Sequence, residues 1–216
     1  IEVTKKLLKT GCNDFFLTNL GESLKVRNEC SKSNIILLNG LINLDENEIN
    51  QVFNNKIIPT INSLDELKKF YELSKSLSPI PKVTLHFDTG INRLGIEQDE
   101  TNQVIEYCKK FEIRVFCVMS HFASADEKYS HFNNKQNFKF KEIIKDFPNA
   151  IHSIANSHAI INLNKIEYDL VRTGGCVFGT IETKPFKNVV ELFAKILQIK
   201  YIDNGNQSYG YNQTFQ

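Results

Sequence analysis

Short runs of consecutive apolar residues alternate along the chain with stretches of helical period. The runs are Asp14 to Leu17, Ile35 to Leu38, Lys56 to Ile58, Val83 to Phe87, Val115 to Met119, Ile151 to Ala155 and Tyr168 to Val171. Most are apolar at successive rather than alternate positions, the pattern of strands covered on both faces. Between them, Ser63 to Leu77 opens on the Ser63/Glu66 spacing of a capping box and gathers Leu64, Leu67, Phe70 and Tyr71 on an inner face. Thr101 to Phe111 and Lys139 to Phe147 repeat the idea. A strand recurring every roughly 20 to 35 residues through a helix predicts a parallel sheet, since each parallel return needs a crossover of about a dozen residues.

The opening residues read as a helix in progress: Val3, Leu7 and Leu8 share a face and Gly11 stops it. Seven strands, with one more expected upstream of Ile1, predict a (β/α)8 barrel of TIM type that lacks its first strand. An open doubly wound sheet is the main competitor, and strand count alone does not exclude it. From about Lys184 the pattern changes. Leu197, Ile199 and Tyr201 alternate with Gln198 and Lys200, as in a half-exposed strand with no helix to follow. The expected organisation is a barrel domain over residues 1–183 and, over 184–216, the start of a β-rich second domain that continues beyond Gln216.

Composition narrows the function classes. With 41% apolar and 24% charged residues in 216, the chain can bury a sizeable core. The 26 basic and 25 acidic residues nearly balance, which removes the electrostatic case for a nucleic-acid or membrane-surface partner. No apolar run is long enough to span a bilayer. Cys12, Cys30, Cys108, Cys117 and Cys176 are scattered without a CxxC pair, as reduced core residues of a cytoplasmic protein would be.

Candidate chemistry collects where four of the runs end. His86-Phe87-Asp88-Thr89-Gly90, Met119-Ser120-His121-Phe122, Ile154-Ala155-Asn156-Ser157 and Val171-Arg172-Thr173-Gly174-Gly175 each pass from apolar residues straight into polar ones or glycine. In a parallel barrel all carboxyl ends of strands share one face, so the four clusters would meet at a single mouth. Taken singly, each cluster is better explained as an ordinary strand end. Two glycines after a buried strand let backbone amides approach a ligand closely, and with the Ser157 hydroxyl they suit a phosphate; a plain turn and a helix N-cap are the alternatives. Arg93 and Arg172 add guanidinium groups, and His121 is either a site residue or a structural histidine. HExxH, GxGxxG, GxSxG, the P-loop and metal-ligand clusters are all missing from the sequence, so an organic, phosphate-bearing cofactor is the best-supported ligand and no metal is expected.

The order of these motifs resembles a known family. Asp88-Thr89-Gly90-Ile91-Asn92-Arg93-Leu94-Gly95, Ser120-His121-Phe122-Ala123-Ser124-Ala125-Asp126, Ala155-Asn156-Ser157, Val171 to Gly175 through Phe178-Gly179, and Ser208-Tyr209-Gly210 are similar to the successive signatures of bacterial alanine racemase. The resemblance runs the length of the chain, and its eight-residue DTGxNRLG block is highly specific. It implies a pyridoxal 5'-phosphate (PLP) enzyme built of a barrel and a β domain, a cytoplasmic homodimer interconverting L- and D-alanine for peptidoglycan. By motif, Arg93 resembles the arginine at the cofactor's phenolic oxygen and the substrate carboxylate. Arg172 resembles the one facing the pyridine nitrogen, a permanent cation that keeps that nitrogen unprotonated. Ser157, Gly174 and Gly175 match the phosphate cradle. Tyr209 resembles the catalytic tyrosine for one face of the substrate, and His121 the histidine that hydrogen-bonds and tunes it.

Three departures accompany the resemblance. The lysine that carries the cofactor as a Schiff base has no counterpart here and is expected shortly upstream of Ile1, so the chain by itself is expected to be inactive. His86 occupies a position where many relatives carry a carbamylated lysine that steadies the neighbouring arginine. Ser153 stands where some relatives place a histidine beside the pyridine-facing arginine, which implies a looser hold on Arg172. A non-catalytic remnant remains an alternative, as does another PLP barrel enzyme such as a broader amino-acid racemase or a decarboxylase.

Overall fold

The computed structural model describes residues 1–163, 166–181 and 183–201. In chain order the elements are α1 (Glu2–Lys9), β1 (Asp14–Leu17), α2 (Leu20–Glu29), β2 (Asn34–Leu37), α3 (Glu46–Asn54), β3 (Ile58–Ile61), α4 (Leu64–Ser74), β4 (Val83–His86), α5 (Thr101–Lys110), β5 (Val115–Met119), α6 (His131–Ile144), β6 (Ile151–Ser153), α7 (Ser157–Asn162) and α8 (Gly174–Phe178). The strands form one six-stranded sheet in the order β1-β2-β3-β4-β5-β6. Every pairing is parallel, for example Phe15 with Ile35, Ile36 with Ile58, Leu85 with Val118 and Met119 with Ser153. Strand order that follows chain order through helical crossovers is the topology of a (β/α) barrel rather than of a doubly wound sheet, whose order reverses.

Register divides the sheet into two faces. Ile35, Ile61, Leu85 and Val118 are fully buried against Val52, Leu67, Phe70, Val104 and Phe140 of the surrounding helices. On the opposite, lumenal face, Thr60 pairs with Thr84 and Thr84 with Cys117. One pleat further along, His86 pairs with Met119 and Met119 with Ser153, a row of side chains at the carboxyl edge. The amino edge is fastened separately. Arg27 donates to the carbonyls of Asn55 (2.8 Å), Cys30 (3.0 Å), Ser33 (2.8 Å) and Lys56 (3.0 Å), joining the ends of α2 and α3.

Several expected boundaries move. The third strand is Ile58–Ile61 rather than Lys56 to Ile58, and it runs on through Pro59. The seventh is reduced to a single bridge between Asn156 and Arg172, supported by Leu170 N–H to His152 O (3.2 Å) and Arg172 N–H to Ala155 O (3.0 Å). Helix α6 starts at His131, not Lys139, because Asn133 and Gln136 on its buried side interrupt the apolar period. Ser63 caps α4 as expected, accepting from Glu66 N–H at 3.1 Å, but the Glu66 carboxylate turns inward instead of completing the box. Residues 183–201 contain no helix or strand, so the strand expected around Leu197 to Tyr201 is not formed; Leu197 is 95% exposed. All five cysteines are free, and no described helix is long and apolar enough to cross a membrane.

Candidate active site

The four polar strand ends do converge, and local backbone chemistry explains how. After β4 the Asp88 carboxylate accepts from Gly90 N–H (2.7 Å) and Ile91 N–H (2.9 Å), curling the loop at once. The loop closes where Ile96 N–H donates to His86 O (2.7 Å) and Asp88 N–H to Ile96 O (3.0 Å). Gly95 makes this closure possible: at φ +126° it lies so near the returning backbone that a Cβ would sit 2.9 Å from Asp88 N. Arg93 is carried, exposed, on the loop so formed.

Helix α6 clamps the next two loops from behind. The fully buried Gln136 accepts from Ala123 N–H (2.9 Å) and donates to His121 O (2.9 Å) and Thr89 Oγ1 (3.2 Å). Thr89 Oγ1 and Ser120 Oγ, both buried, share a 2.7 Å hydrogen bond. Gln136 thus fixes the loops after β4 and β5 relative to each other.

Arg172 sits where β5, β6 and the vestigial seventh strand end. Its Nη1 donates to Ser153 Oγ (2.5 Å) and Ser153 O (3.1 Å), and its Nη2 donates to Ser120 O. Its guanidinium also lies 5.8 Å from the centre of the Phe16 ring, a cation–π contact that reaches back to β1 across the mouth. The expectation of a looser hold on this arginine is therefore corrected: the Ser153 hydroxyl and carbonyl take over the support. Burial, Arg93 and an opposing contribution from Cys117 leave Arg172 lowered to about 10, still a cation at neutral pH.

His121 stands between Arg172 Nη2 (3.4 Å from Nδ1) and Asn156 Nδ2 (3.3 Å from Nε2). The Asn156 amide is oriented by its N-cap bond from Ala159 N–H to Oδ1 (3.0 Å), so both neighbours offer N–H groups. A neutral ring accepts from one of them and carries its own proton on the other nitrogen. Neutrality is enforced: burial, then Arg172, then Arg93 push His121 down to about 4. His86 is pushed down to about 3 by burial, then Arg172, His121 and Arg93. The action of Arg93 on all three groups puts its charge at the same mouth.

Ser157 opens α7, buried, and its Oγ accepts from Cys176 N–H at 3.2 Å. Gly175 passes so close that a Cβ would lie 3.3 Å from Ser157 Oγ, while a Cβ on Gly174 would meet nothing within 4 Å. Backbone N–H groups of a first helical turn have no partner within their own helix. With the serine hydroxyl they are donors of the kind phosphate oxygens take, and a side chain at residue 175 would crowd Ser157 and Ile181. Arg93, His121, Ser157, Arg172, Gly174 and Gly175 are thus brought together; Tyr209 lies outside the described residues. Among the described residues no group of three or more His, Cys, Asp or Glu is arranged to hold a metal.

Asn62, Phe16 and Gln136 belong to this site without standing out in the sequence, and Thr89 lies in a strand-end cluster without a role the sequence assigns. Asn62 had a signal: it follows a buried strand in the same manner as the four clusters. A run ending at Ile58 conceals that signal, because the strand extends to Ile61.

Fold and site define a parallel β/α barrel with an anion-receptive, doubly cationic mouth. Residues 1–182 match the family described as alanine racemase, N-terminal domain. The chain is 32% identical over 222 residues to the alanine racemase of Rickettsia bellii and 31% identical over 219 residues to that of Rickettsia rickettsii, all of this chain being covered in both cases. It spans 53% and 59% of those proteins' lengths. Among solved structures, the alanine racemase of Bartonella henselae, with covalently bound pyridoxal phosphate, is 27% identical with a TM-score of 0.75, covering 85% of this chain and 54% of that one. An alanine racemase from Clostridium difficile is 26% identical with a TM-score of 0.72, covering 86% and 50%. The chain belongs to the alanine racemase family, as its N-terminal barrel domain, here a partial barrel.

Proposed function

We propose that the protein to which this chain belongs is a PLP-dependent alanine racemase. The observation that carries the reading is the junction of the Asn156–Arg172 bridge with the Ser157/Gly175 approach, which sets a serine hydroxyl and glycine backbone close to a half-buried guanidinium. PLP, when bound, supplies an electron-withdrawing ring that stabilises negative charge at the α-carbon of alanine. Ser157 Oγ and the amides of Gly174 and Gly175 would hold its phosphate. Arg172, kept cationic and anchored by Ser153 and Ser120, would face the pyridine nitrogen and keep it unprotonated. Arg93 would bind the substrate carboxylate and the phenolic oxygen. His121 would hydrogen-bond the Tyr209 phenol and favour its ionised form, so that Tyr209 moves a proton on one face of the substrate.

The same reading gives residues 1–183 to the barrel and 184–216 to the start of a β-rich domain, in keeping with a family match that ends at residue 182. It also implies a cytoplasmic homodimer that serves peptidoglycan synthesis.

The test supplies the protein with PLP and L-alanine. D-alanine is expected to accumulate faster than D-serine or D-lysine from the corresponding substrates. Release of CO2 from an amino acid would favour a decarboxylase, and bound PLP without any turnover would favour a non-catalytic remnant. Ser157→Ala is expected to weaken PLP binding about tenfold or more, the loss of one hydrogen bond to a charged group.

A further inference from the structure

His86 closes β4 with only 6% of its surface exposed, and the charges that act on it, Arg172 and Arg93, are both cations. It meets one other side chain by hydrogen bond among the described residues: His86 Nδ1 lies 2.9 Å from Asn62 Oδ1. Asn62, 6% exposed, is the residue that follows β3, whose last member Ile61 pairs with Leu85, so register alone puts Asn62 beside His86.

The orientation of the Asn62 amide decides which imidazole nitrogen carries the proton. On the far side of Asn62 stands the buried carboxylate of Glu66, which accepts from Asn62 N–H (2.8 Å) and Leu41 N–H (2.6 Å). Burial raises the Glu66 carboxyl and the Asn62 side chain opposes that rise, while Asn62 Nδ2 makes no hydrogen bond of its own. The reversed amide would aim Oδ1 at an anion and Nδ2 at the imidazole. An oxygen against a carboxylate is repulsive in a buried setting, where charges are poorly screened. Oδ1 therefore points to His86, and an oxygen can only accept.

We propose that Glu66 and Asn62 lock His86 in its neutral Nδ1–H tautomer, leaving a bare Nε2 lone pair as an uncharged hydrogen-bond acceptor at the carboxyl end of β4. Glu66 and Asn62 are positioning residues in this scheme. An acceptor without charge can take a guanidinium N–H beside Arg172 without adding a third cation to the mouth and without neutralising Arg93. That last consequence, an Arg93 whose full charge stays free for a carboxylate, rests on the racemase reading; the tautomer does not.

Long-range 1H–15N correlation spectra of the imidazoles in the full chain test it without cofactor or turnover. The wild-type chain is expected to show His86 with a protonated Nδ1 and an unprotonated Nε2. Asn62→Leu is expected to lose that single tautomer. Asn62→Asp, which restores an oxygen acceptor, is expected to keep Nδ1–H while moving the His86 titration upward, and serves if the leucine variant fails to fold. A wild-type His86 protonated on Nε2, an Asn62→Leu chain with an unchanged tautomer, or an Asn62→Asp chain without Nδ1–H would each overturn the proposal. A racemase reading that failed for other reasons would leave these spectra unchanged.

Discussion

Arg172 and Ser153 are joined twice, through the serine hydroxyl at 2.5 Å and the serine carbonyl at 3.1 Å. Ser153→Ala removes one acceptor from a half-buried cation and leaves an N–H to find another. Hydrogen bonds to charged groups are worth about 1.5–3 kcal/mol, so a loss of about 1–2 kcal/mol is expected in urea unfolding of the variant. An unchanged midpoint would show that the carbonyls alone hold the guanidinium.

Arg172 itself separates structural from chemical roles when changed in two ways. Arg172→Lys keeps the cation but loses the fork that reaches Ser153 and Ser120 together, so stability should fall while reaction specificity is retained. Arg172→Glu, in a complete PLP-loaded protein, should permit protonation of the pyridine nitrogen and raise transamination relative to racemisation. The two products are measured side by side, and a constant ratio would remove the assigned role.

Acid should weaken the fold through the two site histidines. Both are lowered in the folded state, His86 to about 3 and His121 to about 4, from 6.5. Their contribution to stability is complete above pH 6.5 and is lost as pH falls through the window between 6.5 and those values, because the unfolded chain takes up protons that the folded one refuses. For His86 the loss two units below 6.5 is on the order of 1–3 kcal/mol. His86→Asn should flatten this part of a plot of unfolding midpoint against pH.

Glu66 has the opposite sign. Burial raises its carboxyl above the ordinary 4.5, against the hydrogen bonds from Asn62 and Leu41 that lower it. The folded state therefore favours the protonated acid, and stability from this group is present below pH 4.5 and declines as pH rises from there through the folded value. Glu66→Gln removes that slope, and because an amide accepts only one of the two N–H groups, it should also cost about 1–3 kcal/mol at neutral pH. A variant with the same pH slope as the wild type would locate the titration elsewhere.

The residues that could be read directly were those whose chemistry is local. Buried parallel strands announce themselves by consecutive apolar side chains, and β2, β4 and β5 lie within a residue or so of where Ile35, Val83 and Val115 place them. The glycine pair, Ser157, Arg172 and the loop carrying Arg93 were visible because each motif is contiguous. The residues that hold them were not. Gln136 is a polar residue on a helix face that periodicity expects to be apolar, so its burial obscured the first turns of α6. Pro59 lacks an N–H that a strand in the middle of a sheet would normally use, and a run ended at Ile58 leaves Asn62 outside it. Glu66 occupied the right place for a capping box, and only the three-dimensional nearness of Leu41 and Asn62 shows why it turns inward. Phe16 contacts Arg172 across the barrel from 156 positions away in sequence, a separation no local pattern reports.

The described sheet is an arch rather than a ring, with β1 at one end and the Asn156–Arg172 bridge at the other. Arg172 spans that gap like a tie rod, its guanidinium bonded to Ser120 and Ser153 on one side and laid against Phe16 on the other. A residue that braces the architecture while setting the electrostatics of the mouth is doubly constrained. Redirecting this scaffold to other chemistry would first require a different brace.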